Sequence, residues 1–337
     1  MELQKNFDLK NLNSFNISVK TKYFYKFSSI NELQNILEYN KTLKEKTIIL
    51  GGGSNILFTK DFDGLIIKNE IKGITIKSES KKHVTIEVGA GENWHDFVKW
   101  SVTNNLSGIE NLALIPGSVG ATPIQNIGAY GMEVKNTITK VYYFDIVTQR
   151  EKILANKKCN FKYRDSIFKN KFKNKFIITK VVFCLNKEHA NNSNYGAINE
   201  ELNKLKMEPS LKSIFQAVIS IRNQKLPDPK KLGNSGSFFK NPIIKNQKFV
   251  ILKKIHPNIV GYPMPSGDIK VAAGWLIEQA GWKGHTEGSA GVHKNQALVL
   301  VNYGEATGEN ILDLSIKIKN SIKEKFDIEI TPEVNII

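Results

Sequence analysis

A stretch of uncharged residues from Asn111 to Met132 has the residue types of a ligand-binding loop. Pro116 and Pro123 lack backbone N–H donors, which argues against a regular helix or central strand here. Four glycines permit positive φ and close backbone approach: Gly117, Gly120, Gly128 and Gly131. Free N–H groups in such a loop can bind phosphate oxygens or the carbonyl groups of a flat ring. A Gly/Pro connection packed under a neighbouring element fits the same pattern, so both interpretations stay open.

Arginine is scarce in this chain, and its positions are therefore informative. Of the 48 basic residues, only Arg150, Arg164 and Arg222 are not lysine. A guanidinium binds a carboxylate or phosphate through two parallel hydrogen bonds, which a lysine ammonium cannot do. Arg164 lies beside aromatic residues in a non-periodic stretch, where an anion-binding role competes with an ion pair to Asp165.

Two further residues have types that could move protons. Ser237 lies between Gly236 and two phenylalanines, and no Ser-His-Asp pattern surrounds it, which argues against a hydrolase nucleophile. Glu333 follows a proline near the end of the chain, where a carboxylate is ordinarily solvated. Taken alone, each residue also has a purely structural interpretation, as a turn residue or a surface charge.

A glycine turn at residues 51–55 follows a predicted strand, helix and strand. This order is how α/β folds present backbone amides to a phosphate. The sequence GGGSNILF fits neither the G-x-G-x-x-G fingerprint nor a P-loop, and residues 89–94 also fail the fingerprint because Trp94 replaces the third glycine. A nucleotide-binding function therefore requires a different fold.

Composition limits the class of protein. At 337 residues with 41 % apolar and 24 % charged residues, the chain is long enough for two or three globular domains. It has no apolar run of about 18 residues, and its first residues lack a signal peptide, so we expect a cytoplasmic protein without a membrane partner. Cys159 and Cys184 stand outside metal-binding spacings, and no disulfide framework or metal site is expected.

The formal charge of +16 is compatible with nucleic acid, a membrane surface or an anionic small molecule as partner. The excess is lysine scattered among Asn and Ile, without a basic helix or zinc-finger pattern. Compositional drift over solvated faces explains this better than a nucleic-acid footprint, and no nucleic-acid partner is expected.

Hydrophobic periodicity predicts the elements that position these residues. Ser29 and Glu32 predict a capping box at the start of one helix. Asp268 predicts the N-cap of another helix, which ends at Gly281. Residues 186–208 are polar, and residues 191–196 within them predict an exposed loop with Tyr195 at its tip. The other predicted helices cover 92–104, 210–222 and 308–326, and the main predicted strands cover 19–27, 47–50, 138–147, 176–185 and 297–301, with a final alternating segment at 328–336.

Six separated motifs together resemble the UDP-N-acetylenolpyruvoylglucosamine reductase family. They are GGGSN (51–55), IPGSVGATPIQNIGAYG (115–131), YRDS (163–166), KLPDP (225–229), GSFFKNP (236–242) and PEV (332–334). The resemblance covers nearly the whole chain. It implies an α+β protein with an FAD-binding domain of the vanillyl-alcohol-oxidase (PCMH) type in two subdomains and a C-terminal α/β substrate-binding domain. The expected divisions are 1–70, 71–222 with a tyrosine loop at 186–208, and 223–337.

The resemblance also implies an activity. It is the NADPH-driven, FAD-dependent reduction of UDP-N-acetylglucosamine enolpyruvate to UDP-N-acetylmuramate in peptidoglycan synthesis, by a monomer. An oxidase of the same fold and a basic nucleic-acid-binding protein are the alternatives. The implied FAD-binding residues are Gly51, Gly52, Gly53, Ser54, Asn55, Pro116, Gly117, Ser118, Gly120, Ala121, Gln125, Asn126, Gly128, Ala129, Tyr130, Gly131 and Arg222.

The resemblance assigns catalytic roles to three residues. Arg164 would bind the carboxylate of an enolate-like intermediate, because charge must spread into that group when hydride adds to the double bond. Glu333 would be the second stabiliser, protonated or sharing a proton, and Ser237 would protonate the carbon. The implied substrate contacts are Tyr163, Tyr195, Lys225, Asn241 and Gln296.

Overall fold

The computed structural model describes residues 2–172, 175–188 and 196–337. Its helices are α1 (Ile30–Leu43), α2 (Trp94–Thr103), α3 (Gly196–Leu205), α4 (Leu211–Lys225), α5 (Asn246–Ile255), α6 (Ala273–Gln279) and α7 (Gly308–Phe326). Its strands are β1 (Gln4–Asp8), β2 (Lys20–Phe27), β3 (Thr47–Leu50), β4 (Ile56–Leu57), β5 (Phe62–Asn69), β6 (Ile74–Glu79), β7 (His83–Gly89), β8 (Gly128–Ala129), β9 (Met132–Glu133), β10 (Ile138–Asp145), β11 (Arg150–Ala155), β12 (Phe176–Asn186), β13 (Gly233–Ser237), β14 (Ile243–Ile244), β15 (Gly261–Pro263), β16 (Ile269–Val271), β17 (Thr286–Glu287), β18 (Ala290–Val292), β19 (Val299–Asn302) and β20 (Asn335–Ile336).

The chain divides into two units. Unit 1 comprises residues 1–7, 21–52 and 63–224, and unit 2 comprises residues 8–20, 53–62 and 225–337. Two short segments from the N-terminal part of the chain therefore group with the C-terminal third. The three-part division expected from the sequence stays a prediction.

Unit 1 contains two sheets. The first has the order β1-β2-β5-β3, with β3 and β5 parallel, and the second has the antiparallel order β11-β10-β12-β7-β6. Helix α1 buries Leu33, Ile36 and Leu37 in a core shared with strand β5. Each such side chain contributes about 1.5–3 kcal/mol by leaving water. Helix α2 buries its apolar face, Trp94 and Phe97 included, in a larger core with the second sheet.

Unit 2 is organised around the antiparallel sheet β13-β19-β18-β17. Helix α7 packs on β18 and β19 and spans the predicted residues 308–326, with Thr307 as its N-cap in a capping box with Asn310. Strand β20, almost at the end of the chain, pairs in parallel with β4, which follows the glycine turn of residues 51–55. This pairing joins, within unit 2, the residues that directly follow two of the sequence motifs, 51–55 and 332–334.

Three local predictions were wrong in detail. Asp268 does not cap a helix: its carboxylate binds Lys245 and the Ser266 hydroxyl, strand β16 follows, and α6 begins only at Ala273. The polar 186–208 segment contains a helix that was not predicted, α3 from Gly196 to Leu205, while residues 191–195 of the predicted loop lie outside the described residues. Ser29 accepts from the Glu32 N–H, at 3.2 Å, but the Glu32 carboxylate binds the N–H of Ser28, at 2.7 Å, which shifts the capping box by one residue.

Candidate active site

In unit 1 the first glycines of the 51–55 turn lie directly against the uncharged loop. A Cβ on Gly52 would lie 2.7 Å from the Cα of Gly117, and a Cβ on Gly51 would lie 2.5 Å from the Oγ of Ser118. Carbon atoms ordinarily approach to about 3.5–4.0 Å, so the two main chains meet where no side chain fits. The structure thus joins two motifs that are separated by more than sixty residues.

The same loop is hydrogen-bonded along the segment that enters α2. Val119 donates its N–H to the carbonyl of Glu92, at 2.8 Å, and Gly120 donates to that of Ala90, at 2.9 Å. A Cβ on Gly120 would lie 2.6 Å from the Cβ of Ala90, which explains the need for glycine here. The loop is therefore held from two sides, by the glycine turn and by the start of α2.

The end of the loop forms a small hairpin of β8 and β9. The turn residues Tyr130 and Gly131 have φ values of 47° and 79°, the positive values that a type I′ hairpin turn requires at both central positions. Asn111 donates from Nδ2 to the Tyr130 carbonyl, at 3.0 Å. The first residue of the uncharged stretch is therefore hydrogen-bonded to the hairpin at its end.

Arg164 lies at the tip of a tight turn. Lys162 and Asp165 exchange backbone hydrogen bonds of 3.0 and 3.2 Å, leaving Tyr163 and Arg164 as the turn residues. Arg164 has a φ of 51°, its Nη2 donates to the carbonyl of Gly128, at 2.8 Å, and its guanidinium carbon is 5.6 Å from the centre of the Tyr163 ring. The predicted catalytic arginine is therefore attached to the hairpin of the glycine-rich loop.

Arg222 brings a second guanidinium to this place from the last turns of α4. Burial lowers the pKa of Arg222, a hydrogen bond with Tyr130 opposes this, and the positive charge of Arg164 lowers it further. The Nε of Arg222 is buried and has no hydrogen-bond partner in the described part of the chain. Two neighbouring cations of this kind favour an anionic ligand.

Asn126 is one predicted cofactor contact whose side chain is used within the protein. It is fully buried, donates from Nδ2 to the Lys162 carbonyl and accepts from the Lys135 N–H, both at 3.1 Å. These bonds support its φ of 44° and connect the loop to the Arg164 turn. The predicted cofactor roles of Asn126 and the other loop residues stay predictions.

The second half of the glycine turn belongs to unit 2. Gly53 has a φ of 63°, and a Cβ there would lie 1.9 Å from the carbonyl oxygen of Leu12. Asn55 donates from Nδ2 to the carbonyl of Glu333, at 3.4 Å, and its own carbonyl accepts from the Asn335 N–H, at 3.1 Å. The turn therefore positions the segment that carries the predicted catalytic glutamate.

Ser237 and Glu333 lie on adjacent, paired segments of unit 2. The Glu333 N–H donates to the carbonyl of Phe238, at 2.7 Å, and Phe239 forms a bridge with Pro332. A register shift between Asn234 and Ser237 interrupts the β13–β19 ladder. Of the two residues between them, Gly236 has a φ of 67° and donates its N–H to Oδ1 of Asn234, at 2.9 Å. This bulge leaves Ser237 exposed while the phenylalanines that follow are buried.

Two predicted substrate contacts meet at the first turn of α6. Oδ1 of Asn241 accepts from the Ala273 N–H, at 2.9 Å, and Oε1 of Gln296 lies 3.3 Å from the position of a Cβ on Gly274. Lys225, the last residue of α4, is exposed. Tyr195 lies outside the described residues.

No sequence pattern singles out His95, which the structure places at this loop. Its Nδ1 accepts from the backbone N–H of Leu114, at 3.1 Å, directly before the glycine-rich segment. A lone histidine in a helix has no local signal for such a contact, because Leu114 is nineteen residues further along the chain.

The fold and this loop define a flavoprotein with an FAD-binding domain. Residues 21–155 match the family model of an FAD binding domain. The fold resembles that of 6-hydroxy-D-nicotine oxidase from Arthrobacter nicotinovorans, with a TM-score of 0.52 at 12 % identity over 96 % of this chain and 85 % of that one. The predicted α+β fold with a PCMH-type FAD domain is confirmed.

The chain belongs to the UDP-N-acetylenolpyruvoylglucosamine reductase family. Residues 228–337 match the model of that enzyme's C-terminal domain. Proteins of that name from Flavobacterium johnsoniae and Amoebophilus asiaticus are 53 % and 46 % identical, each over all of both chains. The crystal structure of the enzyme from Thermus caldophilus has a TM-score of 0.68 at 20 % identity over 99 % of this chain and 98 % of that one.

The residues present fit an FAD molecule. The two glycine motifs are in direct main-chain contact, the loop of residues 111–132 is uncharged, and two guanidiniums lie at its end. Such a site can hold a flat ring and an anionic diphosphate. The predicted FAD cofactor is thus consistent with this chain's own geometry as well as with its family.

Proposed function

We propose that the chain reduces the enolpyruvyl group of UDP-N-acetylglucosamine enolpyruvate to UDP-N-acetylmuramate, with FAD as cofactor and NADPH as the electron source, in peptidoglycan synthesis. The observation that carries the proposal is the full-length match, at 53 % identity, to a protein named UDP-N-acetylenolpyruvoylglucosamine reductase. NADPH as reductant and the sugar nucleotide as substrate follow from the family and the six sequence motifs.

FAD would be held by the glycine turn and the loop of residues 115–131, with Arg222 near its ring or diphosphate. A bound FAD would supply the hydride transfer between NADPH and the alkene carbon of the substrate. The contact between Gly52 and Gly117 joins the two motifs that would hold FAD, which supports their action as one binding site.

Arg164 is proposed to bind the carboxylate of the enolpyruvyl group. Hydride addition leaves negative charge on the carbon beside that carboxylate, and a guanidinium with two parallel donors stabilises the charge that spreads into it. Its anchoring to Gly128 and its stacking on Tyr163 support a fixed orientation. Fixed donors stabilise charge without reorganising during the reaction.

Ser237 is proposed to donate a proton from its hydroxyl to the carbanion-like carbon, and solvent or a lysine would restore that proton. Glu333 is proposed to act in protonated form or to share a proton, because a carboxylate would repel the enolate. The pairing of the 238–240 and 331–333 segments supports a joint role of the two residues.

The remaining site residues complete the proposal. Tyr163, Tyr195, Lys225, Asn241 and Gln296 would contact the sugar nucleotide. The protein would act in the cytoplasm as a monomer without a nucleic-acid partner. None of the described helices is long and apolar enough to cross a membrane.

The test separates the two half-reactions in the stopped flow. We expect purified protein to be yellow, to lose its flavin absorbance band with NADPH and to regain it with the enolpyruvyl substrate. Ser237→Ala should leave flavin reduction intact and slow reoxidation by at least about 100-fold, since general acid catalysis contributes about 10²–10⁴. Ser266→Ala, which removes an exposed hydroxyl from the β15–β16 turn, is the control.

Other outcomes would contradict the proposal. Failure of the purified protein to bind flavin would contradict the proposed enzymatic function. Salt-sensitive binding of nucleic acid by flavin-free protein would favour a nucleic-acid-binding protein. Steady oxygen consumption with an alcohol and no NADPH would favour an oxidase. Equal loss in both half-reactions of Ser237→Ala would indicate misfolding rather than a proton donor.

A further inference from the structure

We infer that His95, as a neutral imidazole, positions the FAD-binding loop, and that its protonation weakens FAD binding. The inference rests on the proposed role of residues 115–131 as that loop. The hydrogen bond of His95 is to Leu114, which lies outside both glycine motifs, so His95 is a positioning residue and acts through Leu114.

The contact is made where the chain enters the loop. Leu114 has a φ of 55°, in the left-handed region that an ordinary side chain disfavours. Its N–H donates to Nδ1 of His95, at 3.1 Å. This hydrogen bond supports an unfavourable backbone conformation one residue before the glycine-rich segment begins.

His95 extends a row of hydrogen bonds that holds the loop to α2. The preceding residue, Trp94, donates from Nε1 to the Leu112 carbonyl, at 2.8 Å, and from its backbone N–H to the Gly117 carbonyl, at 3.0 Å. Neither of these donors changes its protonation state between pH 5 and 8, whereas a histidine does. Among these contacts, that of His95 is therefore the one that pH can alter.

The imidazole has a defined orientation. Its ring is stacked on that of Phe215 in α4, with 5.8 Å between centroids and 11° between planes. Because Nδ1 accepts a hydrogen bond, the neutral ring carries its proton on Nε2. Protonation would add a hydrogen to Nδ1, and two donors would then face each other at Leu114.

The surrounding charges favour the neutral ring. Burial lowers the pKa of His95 below its ordinary value of 6.5, Lys99 on α2 and Arg222 on α4 lower it further, and Asp96 on α2 opposes them. Since the native pKa is the lower one, the stabilisation is fully present above pH 6.5 and is lost as the pH falls through the native pKa. A direct attraction between protonated His95 and the anionic cofactor would have the opposite sign.

The experiment measures FAD binding to the apoprotein by quenching of flavin fluorescence, at about pH 8 and in a series of steps down to about pH 5. His95→Asn is the matched variant, because an amide oxygen can accept from Leu114 and does not titrate. We expect wild-type Kd to rise on acidification by about 5- to 30-fold more than that of His95→Asn, a range typical of losing a hydrogen bond and opposing two donors. His95→Ala should bind FAD weakly at every pH of the series.

A second readout does not depend on the cofactor. Hydrogen exchange of the Leu114 amide in the apoprotein should accelerate in acid relative to His95→Asn, after correction for the intrinsic rate. Parallel pH profiles for wild type and His95→Asn, or tighter binding in acid, would overturn the inference. FAD binding at pH 8 with such profiles would leave the proposed function intact, whereas no binding by any variant would contradict both.

Discussion

Replacing Gly52 with alanine tests the joining of the two glycine motifs. The new Cβ would lie 2.7 Å from the Cα of Gly117 and 3.0 Å from its carbonyl carbon. Ordinary carbon contacts are about 3.5–4.0 Å, so the segments must separate by about 1 Å. Both sides of the contact are main chain, and no rotamer change can relieve it.

The magnitude follows from the cost of overpacking. Forcing an extra methyl group into a packed site costs about 1–3 kcal/mol. If FAD binds only when the Gly52 and Gly117 main chains are in contact, that cost appears as a loss of about 5- to 150-fold in affinity for FAD. The assay is titration of the apoprotein with FAD, followed by flavin fluorescence, together with the Tm of the apoprotein.

Gly196→Ala, at the start of α3, is the control for Gly52→Ala. Its Cβ would meet no atom within 4 Å. We expect a loss of less than about 3-fold in FAD affinity, because no neighbouring group has to move. Equal losses in the two variants, or unchanged affinity and Tm in Gly52→Ala, would refute the geometric reasoning.

Two further predictions concern single side chains. Arg164→Lys keeps the charge but loses the two parallel donors, so we expect kcat for substrate reduction to fall by at least about 10-fold. Arg150→Lys, on an exposed strand, is the control and should leave kcat unchanged. Equal kcat in the two variants would contradict carboxylate binding by Arg164. Burial raises the pKa of Cys159 to about 12, so iodoacetamide near pH 8 should alkylate the half-buried Cys184 first in native protein, as read by mass spectrometry, and both thiols in urea. Rapid native alkylation of Cys159 would show that this thiol is not buried as the structure has it.

Elements with a strong local pattern were predictable from the sequence. Strand β3 and helix α7 have the predicted bounds, because a short apolar run and a sustained helical period leave few alternatives. The start of α6 was not predictable, since Asp268 is as good a turn residue as an N-cap and Ile269–Val271 pairs in a sheet. Helix α3 was missed because it follows an Asn-rich run that indicates a loop, although Ile198 and Leu202 recur at helical spacing.

The long-range contacts of the candidate site could not be derived from local pattern. The pairing of Phe239 with Pro332 and the bond from Asn55 to Glu333 join residues far apart in the chain. Their tertiary contacts depend on sheet register, which no periodicity reports. The family resemblance predicts Ser237 and Glu333 as catalytic residues, whereas the contacts that position their segments are visible only in the structure.

The glycine turn shows why a contiguous motif can mislead. As a sequence, residues 51–55 read as one phosphate-binding turn, but Gly52 contacts the loop of unit 1 while Asn55 binds the 333–335 segment of unit 2. Two of its glycines are required for different close approaches: Gly52 to the main chain of Gly117, and Gly53 to the carbonyl of Leu12. Substitutions within these five residues should therefore have separate effects, on FAD binding at Gly52 and on the segment carrying Glu333 at Asn55. A single ligand contact shared by the whole motif would instead make them fail together.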